Sequence, residues 1–210
     1  MTAEASTPNT RIAVRTASGR YNIRVFVAAF MSCFFVFAPS LRAAPDQCTP
    51  QNGLFGNFQA TRPAQLVPDV TFLQETGAET TLAAHKGKGV VLNFWATWCA
   101  PCVREMPQLD RLNAFVRENR IDVLTISEDR KALVAAPKFY KTHNLNDLPV
   151  LADPQGRLMR AFSAPGLPLT VFINSAGFEI GRVIGPAEWD SPEIVSFVRQ
   201  CLSPAPPSEG

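Results

Sequence analysis

A mixed α/β sheet with helices on both faces is the fold class predicted by this 210-residue sequence. Three observations predict it. Two nearly continuous apolar runs, Val90–Trp95 and Ile121–Ile126, read as central strands covered on both sides. Between them lies an apolar stripe at helical spacing. Beyond them two further strands are joined by a turn and followed by a closing helix.

In chain order, residues 45–66 mix Pro, Gly, Asn and Gln with isolated apolar residues and are expected to form an irregular lead-in. Val70–Leu73 reads as a short strand, with Glu75-Thr76-Gly77-Ala78 as the turn after it. His85-Lys86-Gly87-Lys88-Gly89 is a basic, glycine-rich loop opening onto the first central strand. Val103, Met106, Leu109, Leu112 and Val116 then recur at spacings of three and four, which gives a helix one apolar face. Arg104, Glu105, Asp110 and Arg111 are expected to fall away from that face. After the second central strand, Lys131–Tyr140 reads as a helix and Leu148–Leu151 as a short strand. Leu169–Ile173 and Glu179–Ile184 are strands connected by Asn174-Ser175-Ala176-Gly177, a typical hairpin turn. Asp190-Ser191-Pro192-Glu193 combines an N-cap candidate, a proline in the first turn and an early acid. The helix it starts runs to about Leu202, where Ser203-Pro204-Ala205-Pro206-Pro207 cannot continue it.

The length fits one domain plus a leader, and 46% hydrophobic residues are enough to bury a core. A net charge of +2 gives no footing for a nucleic-acid partner. Arg11, Arg15, Arg20 and Arg24 precede an uncharged run from Val25 to Ala38, which Pro39 ends. A basic flank before an apolar stretch of this length is the pattern of a secretory signal and is short for a spanning helix. Residues 1–44 are therefore expected to be a signal peptide or retained anchor that places the remainder outside the cytoplasm, in the periplasm. Cys33 lacks small residues before it and belongs to the apolar run. The expected organisation is leader 1–44, lead-in 45–66, a folded domain over 67–203 and a flexible tail over 204–210.

The chemistry is concentrated in Trp95-Ala96-Thr97-Trp98-Cys99-Ala100-Pro101-Cys102. Two cysteines separated by two residues close a disulfide when the first ends a loop and the second lies in the first helical turn. That arrangement also puts the first sulfur at the positive end of the helix dipole, which favours the reactive thiolate. Pro101 sits where a helix tolerates proline best. The alternative for one such pair is half of a zinc site, but zinc takes four ligands or three plus water. A second pair is missing, and His85 and His143 lie far off in sequence. No metal and no cofactor is expected.

The stretch GKGVVLNFWATWCAPCVREMPQLDRL resembles the active-site segment of the thioredoxin superfamily, nearest to the periplasm-facing reductases of the TlpA and ResA type. ISEDR, GLPLTVFIN and GPAEW resemble TlpA-like proteins too, so the likeness runs from about Val70 to Leu202. GPAEW favours the TlpA branch. The resemblance implies a thioredoxin fold with an N-terminal strand extension. It further implies that Cys99 attacks a partner disulfide, that Cys102 resolves the mixed disulfide, and that Pro168 is the fold's cis-proline beside the sulfurs. Glu105 matches an acid that tunes the cysteines in ResA-type proteins, its alternative being a solvated helix residue. Trp98, Ala100, Pro101 and Leu167 are expected to form the partner-contact surface, and Trp95 the core. One position departs from thioredoxin itself. Its buried Asp, six residues before the first cysteine, is replaced here by Asn93.

The implied activity is that of a protein-disulfide reductase supplied with electrons by a membrane thiol donor. Its implied substrates are copper-chaperone and oxidase copper-subunit cysteines, or apocytochrome c before haem attachment. A copper(I)-binding carrier and a disulfide oxidant or isomerase on the same fold are the competing readings. Cys48 and Cys201 lie at opposite ends of the exported part, and the sequence leaves their pairing open.

Overall fold

A computed structural model describes Cys48, Pro50 and residues 55–204, all within the compact unit Arg42–Gly210. The apolar run 25–38 lies outside the described residues. Among those that are described, no helix is long and apolar enough to cross a membrane.

Eight strands form one mixed sheet: β1 (Phe58–Leu66), β2 (Phe72–Gln74), β3 (Glu79–Thr80), β4 (Gly89–Trp95), β5 (Ile121–Ser127), β6 (Leu151–Ala152), β7 (Leu169–Ile173) and β8 (Phe178–Ile184). Their spatial order is β1-β8-β7-β4-β5-β6-β2-β3. β4 pairs parallel with β5 and antiparallel with β7, so it sits at the centre of the sheet. The helices are α1 (Ala100–Val116), α2 (Ala132–His143), α3 (Arg157–Ala161) and α4 (Pro192–Leu202).

The continuous apolarity of β4 follows from its position. Val91 and Trp95 point into a core built with Met106, Leu109 and Leu112 of α1, Tyr140 of α2, and Ile194 and Val198 of α4. Val90, Leu92 and Phe94 point the other way, into a core with Phe72, Leu158 of α3 and Phe162. Every residue of β4 is buried. The strand begins at Gly89, where a Cβ would collide with the backbone carbonyl of Leu202, so α4 closes down on the sheet only above a glycine.

Most expected elements appear with shifted ends. The first short strand is Phe72–Gln74, the second helix starts at Ala132 and runs on to His143, and the short strand after it is Leu151–Ala152. At the hairpin turn Asn174 Oδ1 accepts from the N–H groups of Ala176 and Phe178, both at 3.0 Å, and Gly177 takes φ +88°. Ser191 caps α4 by accepting from Ile194 N at 3.4 Å, with Pro192 as its first residue.

Two expectations are corrected. Residues 58–66, read as irregular lead-in, form a nine-residue edge strand on β8. Its side chains are mostly exposed, so no alternation marks it, and main-chain pairing holds it in place. The register shifts between Ala60 and Gln65, around Pro63, as an edge strand with a proline requires. Phe58 anchors its start over Gly181, whose missing Cβ makes room for the ring. The second correction is on α1, where Glu105 and Asp110 are buried at 2% and 9% exposure. Burial is supported by partners: Asp110 accepts from the N–H groups of Asp147 and Leu148 at 2.8 and 3.0 Å. α3, which no periodicity signals, begins where Asp153 Oδ2 accepts from Leu158 N at 2.6 Å.

Candidate active site

The C-terminal end of β4 and the first turn of α1 bring the two cysteines together. Cys99 is the N-cap of α1, and its sulfur accepts from Cys102 N at 3.4 Å. Cys99 and Cys102 form a disulfide with a Cα–Cα separation of 5.3 Å. Pro101 occupies the first turn, as expected. The seventeen-residue helix directs its positive end at the Cys99 sulfur, so reduction leaves a thiolate there in a favourable field. Cys99 is 6% exposed and Cys102 fully buried, so attack from outside is restricted to the Cys99 sulfur.

The loop that delivers Cys99 is pinned from β5. Asp129 accepts from Thr97 N at 3.0 Å, Thr97 Oγ at 2.7 Å and Ser127 Oγ at 2.9 Å. Trp98 stands 70% exposed beside the disulfide, whereas Trp95 is fully buried against Phe139 and Tyr140. A surface cleft is lined by Trp98, Cys99, Ala100, Pro101 and Leu167, among others. The Leu167–Pro168 peptide bond is cis, and the Pro168 carbonyl accepts from Gly185 N at 2.9 Å. Pro168 is buried directly behind Leu167.

Glu105 lies one turn after Cys102 on the same side of α1. Its Oε2 accepts from the Trp189 indole N–H at 3.0 Å and its Oε1 from Asn93 Nδ2 at 3.0 Å. Asn93 Nδ2 also donates to Thr170 Oγ at 2.9 Å, its register neighbour on β7. Position 93 therefore supplies no acid but helps hold one that α1 brings in. Burial pushes the Glu105 carboxyl up from 4.5 to about 7, and the bonds from Trp189, Asn93 and the Ala187 backbone oppose it.

The sign of its effect on stability follows. Below pH 4.5 both folded and unfolded chains carry the proton, and the burial of Glu105 has no ionisation cost. Between 4.5 and about 7 the unfolded chain ionises first, so stability falls as pH rises; above about 7 the full loss remains. From pH 4 to pH 8 the disulfide form is expected to lose about 3 kcal/mol that Glu105→Gln does not lose. Urea unfolding of both proteins at the two pH values measures this; parallel pH dependences would contradict it.

Trp189, the last residue of GPAEW, was not legible as a site residue, because only its spatial contact with Glu105 reveals it. Asp129 and Thr170 were likewise hidden, since loop and strand positions carry no local signal for such bonds. Among the described residues no group of three His, Cys, Asp or Glu side chains is placed to hold a metal ion. His85 instead meets Asp122 at 2.7 Å, away from the disulfide at the opposite end of β4 and β5, with Lys88 at 3.1 Å from the same carboxylate.

A CxxC disulfide capping the helix that follows the central strand of such a sheet defines a thioredoxin-like thiol–disulfide redox protein. Residues 63–178 match the AhpC/TSA family. The ResA thiol-disulfide oxidoreductase of Geobacillus kaustophilus is 32% identical over 135 residues, covering 62% of this chain and 76% of that protein. A solved structure of a thioredoxin-family thiol:disulfide interchange protein from Chlorobium tepidum superposes with a TM-score of 0.55 at 25% identity, covering 67% of this chain and 99% of that one. A secreted Mycobacterium tuberculosis disulfide oxidoreductase superposes with a TM-score of 0.54 at 28% identity, over 63% of this chain and 96% of that one. The chain belongs to the AhpC/TSA family and to the thiol–disulfide oxidoreductases of the ResA/TlpA type.

Proposed function

We propose that this oxidoreductase works outside the cytoplasm as a reductant of protein disulfides in cytochrome assembly. The observation that carries the reading is the asymmetry of the pair: Cys99 borders the cleft, while Cys102 is buried, as is Glu105 one turn further along α1.

In the reduced protein the Cys99 thiolate attacks one sulfur of the partner disulfide. A Cys99–partner disulfide forms, the partner's own S–S bond breaks, and one partner thiolate leaves. Cys102 then gives up its proton and attacks the Cys99 sulfur. The second partner thiolate is released and the Cys99–Cys102 bond remains, so the partner gains two electrons and the pair loses two. Glu105, with a carboxyl held at about 7, is the acceptor for the Cys102 proton. Pro168 presents main chain to the docked partner, and Trp98, Ala100, Pro101 and Leu167 form the contact surface. A membrane thiol donor restores the dithiol.

The secreted relative and the leader pattern of residues 1–44 support export. The substrates are cysteine pairs of apocytochrome c or of an oxidase copper site, as the family resemblance implies. The test mixes pre-reduced protein with disulfide-bonded peptides of each kind. Oxidation of Cys99–Cys102 in step with peptide reduction is expected. A dithiol that persists in the presence of both peptides would overturn the reading. Residues 1–44 fused to a reporter active only outside the cytoplasm are expected to give signal, and a silent fusion would contradict export.

A further inference from the structure

A charged pair on β8 has no part in the chemistry described above. Glu179 and Arg182 are three residues apart, a spacing that in a regular strand sends side chains to opposite faces. Here they meet as a bidentate pair, Arg182 Nε and Nη2 donating to Glu179 Oε1 and Oε2, both at 2.7 Å. The reason is a bulge. Phe172 and Ile173 of β7 face Gly181 and Glu179, so Ile180 is an extra residue that brings the two side chains to one face. β1 breaks register at the same level, between Ala60 and Gln65. Thr61, from that break, donates its hydroxyl to Glu179 Oε1 at 2.6 Å. The side chains of Glu179 and Arg182 are 4% and 19% exposed.

A desolvated ion pair is weak evidence of added stability, because taking two charges out of water offsets most of their attraction. The third arm of the guanidinium gives this pair another use. Arg182 Nη1 donates to the Phe162 carbonyl at 2.9 Å. The N–H of the same peptide, from Ser163, donates to the Arg160 carbonyl at 2.9 Å, so both polar groups of that peptide are fixed. Ser163 then takes φ +51°, a left-handed conformation that a residue with a side chain keeps only where its surroundings impose it. From there the chain runs through Gly166, where an added Cβ would meet nothing within 4 Å, to Leu167 at the cleft beside Cys99. It is fixed again where Gly185 N donates to the Pro168 carbonyl at 2.9 Å. The loop that carries Leu167 and Pro168 is therefore tied at both ends to one strand, by the Arg182 side chain and by the main chain of Gly185, which directly follows β8.

We propose that Arg182 is a positioning residue for partner docking: braced by Glu179 and Thr61, it sets the Phe162–Ser163 peptide and through it the placement of Leu167 and Pro168 against the incoming disulfide. The inference rests on the reductase reading above. It gives the N-terminal edge strand a part in partner binding, since Thr61 belongs to β1. The cysteines and α1 lie outside this chain of bonds, so the reactivity of Cys99 toward a disulfide too small to use the loop is independent of it.

The experiment uses the full chain, pre-reduced, with the disulfide-bonded peptides of the test above and with bis(2-hydroxyethyl) disulfide. Single-turnover rates over a range of concentrations give a half-saturating concentration and a limiting rate for each. Replacing Glu179 and Arg182 together by methionine removes both charges, so no unpaired buried charge is left, and the Phe162 carbonyl loses its donor. In this double variant the half-saturating peptide concentration is expected to rise about tenfold, because the loop must then be ordered by the partner. The limiting rate, and the rate with the small disulfide, are expected to stay within about twofold. Thr61→Val removes one bracing hydroxyl and keeps the ion pair, and is expected to shift the half-saturating concentration the same way by about threefold. Thr61→Ser keeps the hydroxyl and is expected to match the wild type. An unchanged half-saturating concentration in the double variant, or an equal loss with the small disulfide, would overturn the positioning role while leaving the reductase reading standing. If the double variant does not fold, the Thr61 variants decide, and a Thr61→Val that behaves as wild type overturns the role. A wild type that reduces the small disulfide but no peptide would sink the reductase reading and the positioning role with it.

Discussion

Replacing Cys102 by serine is expected to convert the protein from a catalyst into a trap, with the partner held on Cys99 as a covalent mixed disulfide. The expectation comes from the division of the pair. Cys99 caps α1 and lines a surface cleft, whereas Cys102 has no exposed surface. With the attacking sulfur intact the first exchange proceeds, but without the buried thiol nothing breaks the bond that it makes. Serine is nearly isosteric, and the cap geometry survives because it uses the Cys102 backbone N–H and not its side chain. Cys99→Ser is expected to behave oppositely, with no adduct and transfer at the uncatalysed level, since a hydroxyl does not exchange with disulfides. Non-reducing gels and mass spectrometry of each variant after incubation with a disulfide partner separate the two outcomes. An adduct on Cys99→Ser, or none on Cys102→Ser, would reverse the assignment of roles.

The second large effect is expected at Trp189. Its ring is fully buried, with centroids 5.8 Å from Phe55 and 6.3 Å from Phe172, and its indole N–H is bonded to Glu105. Trp189→Ala removes a large core side chain, a change that costs about 3–5 kcal/mol in well-packed sites. It also leaves a Glu105 oxygen without its donor, for about 1–3 kcal/mol more. That total approaches the whole stability of many domains, so the alanine variant is expected to unfold at much lower urea, or not to fold. Trp189→Phe separates the two contributions. It keeps most of the apolar volume and removes only the N–H, so the destabilisation is expected to be about 1–3 kcal/mol. The lost donor had favoured the carboxylate, so the Glu105 carboxyl rises further and the limb of the pH–rate profile that it sets moves to higher pH. An unmoved profile in Trp189→Phe would place the proton transfer at another group.

The central strands, α1, the hairpin and the start of α4 were legible because each is announced by periodicity or by residues with one local use. The cysteine pair was legible for the same reason: its spacing, the strand before it and the helix after it are all local. What stayed hidden depends on distant residues meeting. Nothing in FQATRPAQL alternates, and β1 exists because β8 offers it an unpaired edge. Glu105 reads as a surface residue from its neighbours on α1. It is buried because Asn93, twelve residues before, and Trp189, eighty-four after, both present N–H groups to it. Glu128 and Asp129 are adjacent in sequence yet do different work. Asp129 braces the Thr97 loop, while Glu128 lines the cleft and keeps one oxygen buried without a hydrogen-bond partner among the described residues. Composition and spacing do not distinguish them; only the direction of each side chain from the end of β5 does.

The reductase reading is tested most directly by the reduction potential of the Cys99–Cys102 couple, measured by equilibrating the protein with defined dithiothreitol or glutathione mixtures. A value near that of thioredoxin, about −270 mV, is the result predicted for a donor of electrons to protein disulfides. A value near that of DsbA, about −120 mV, would make the oxidised pair the reactive form and the protein a disulfide donor, contradicting the account.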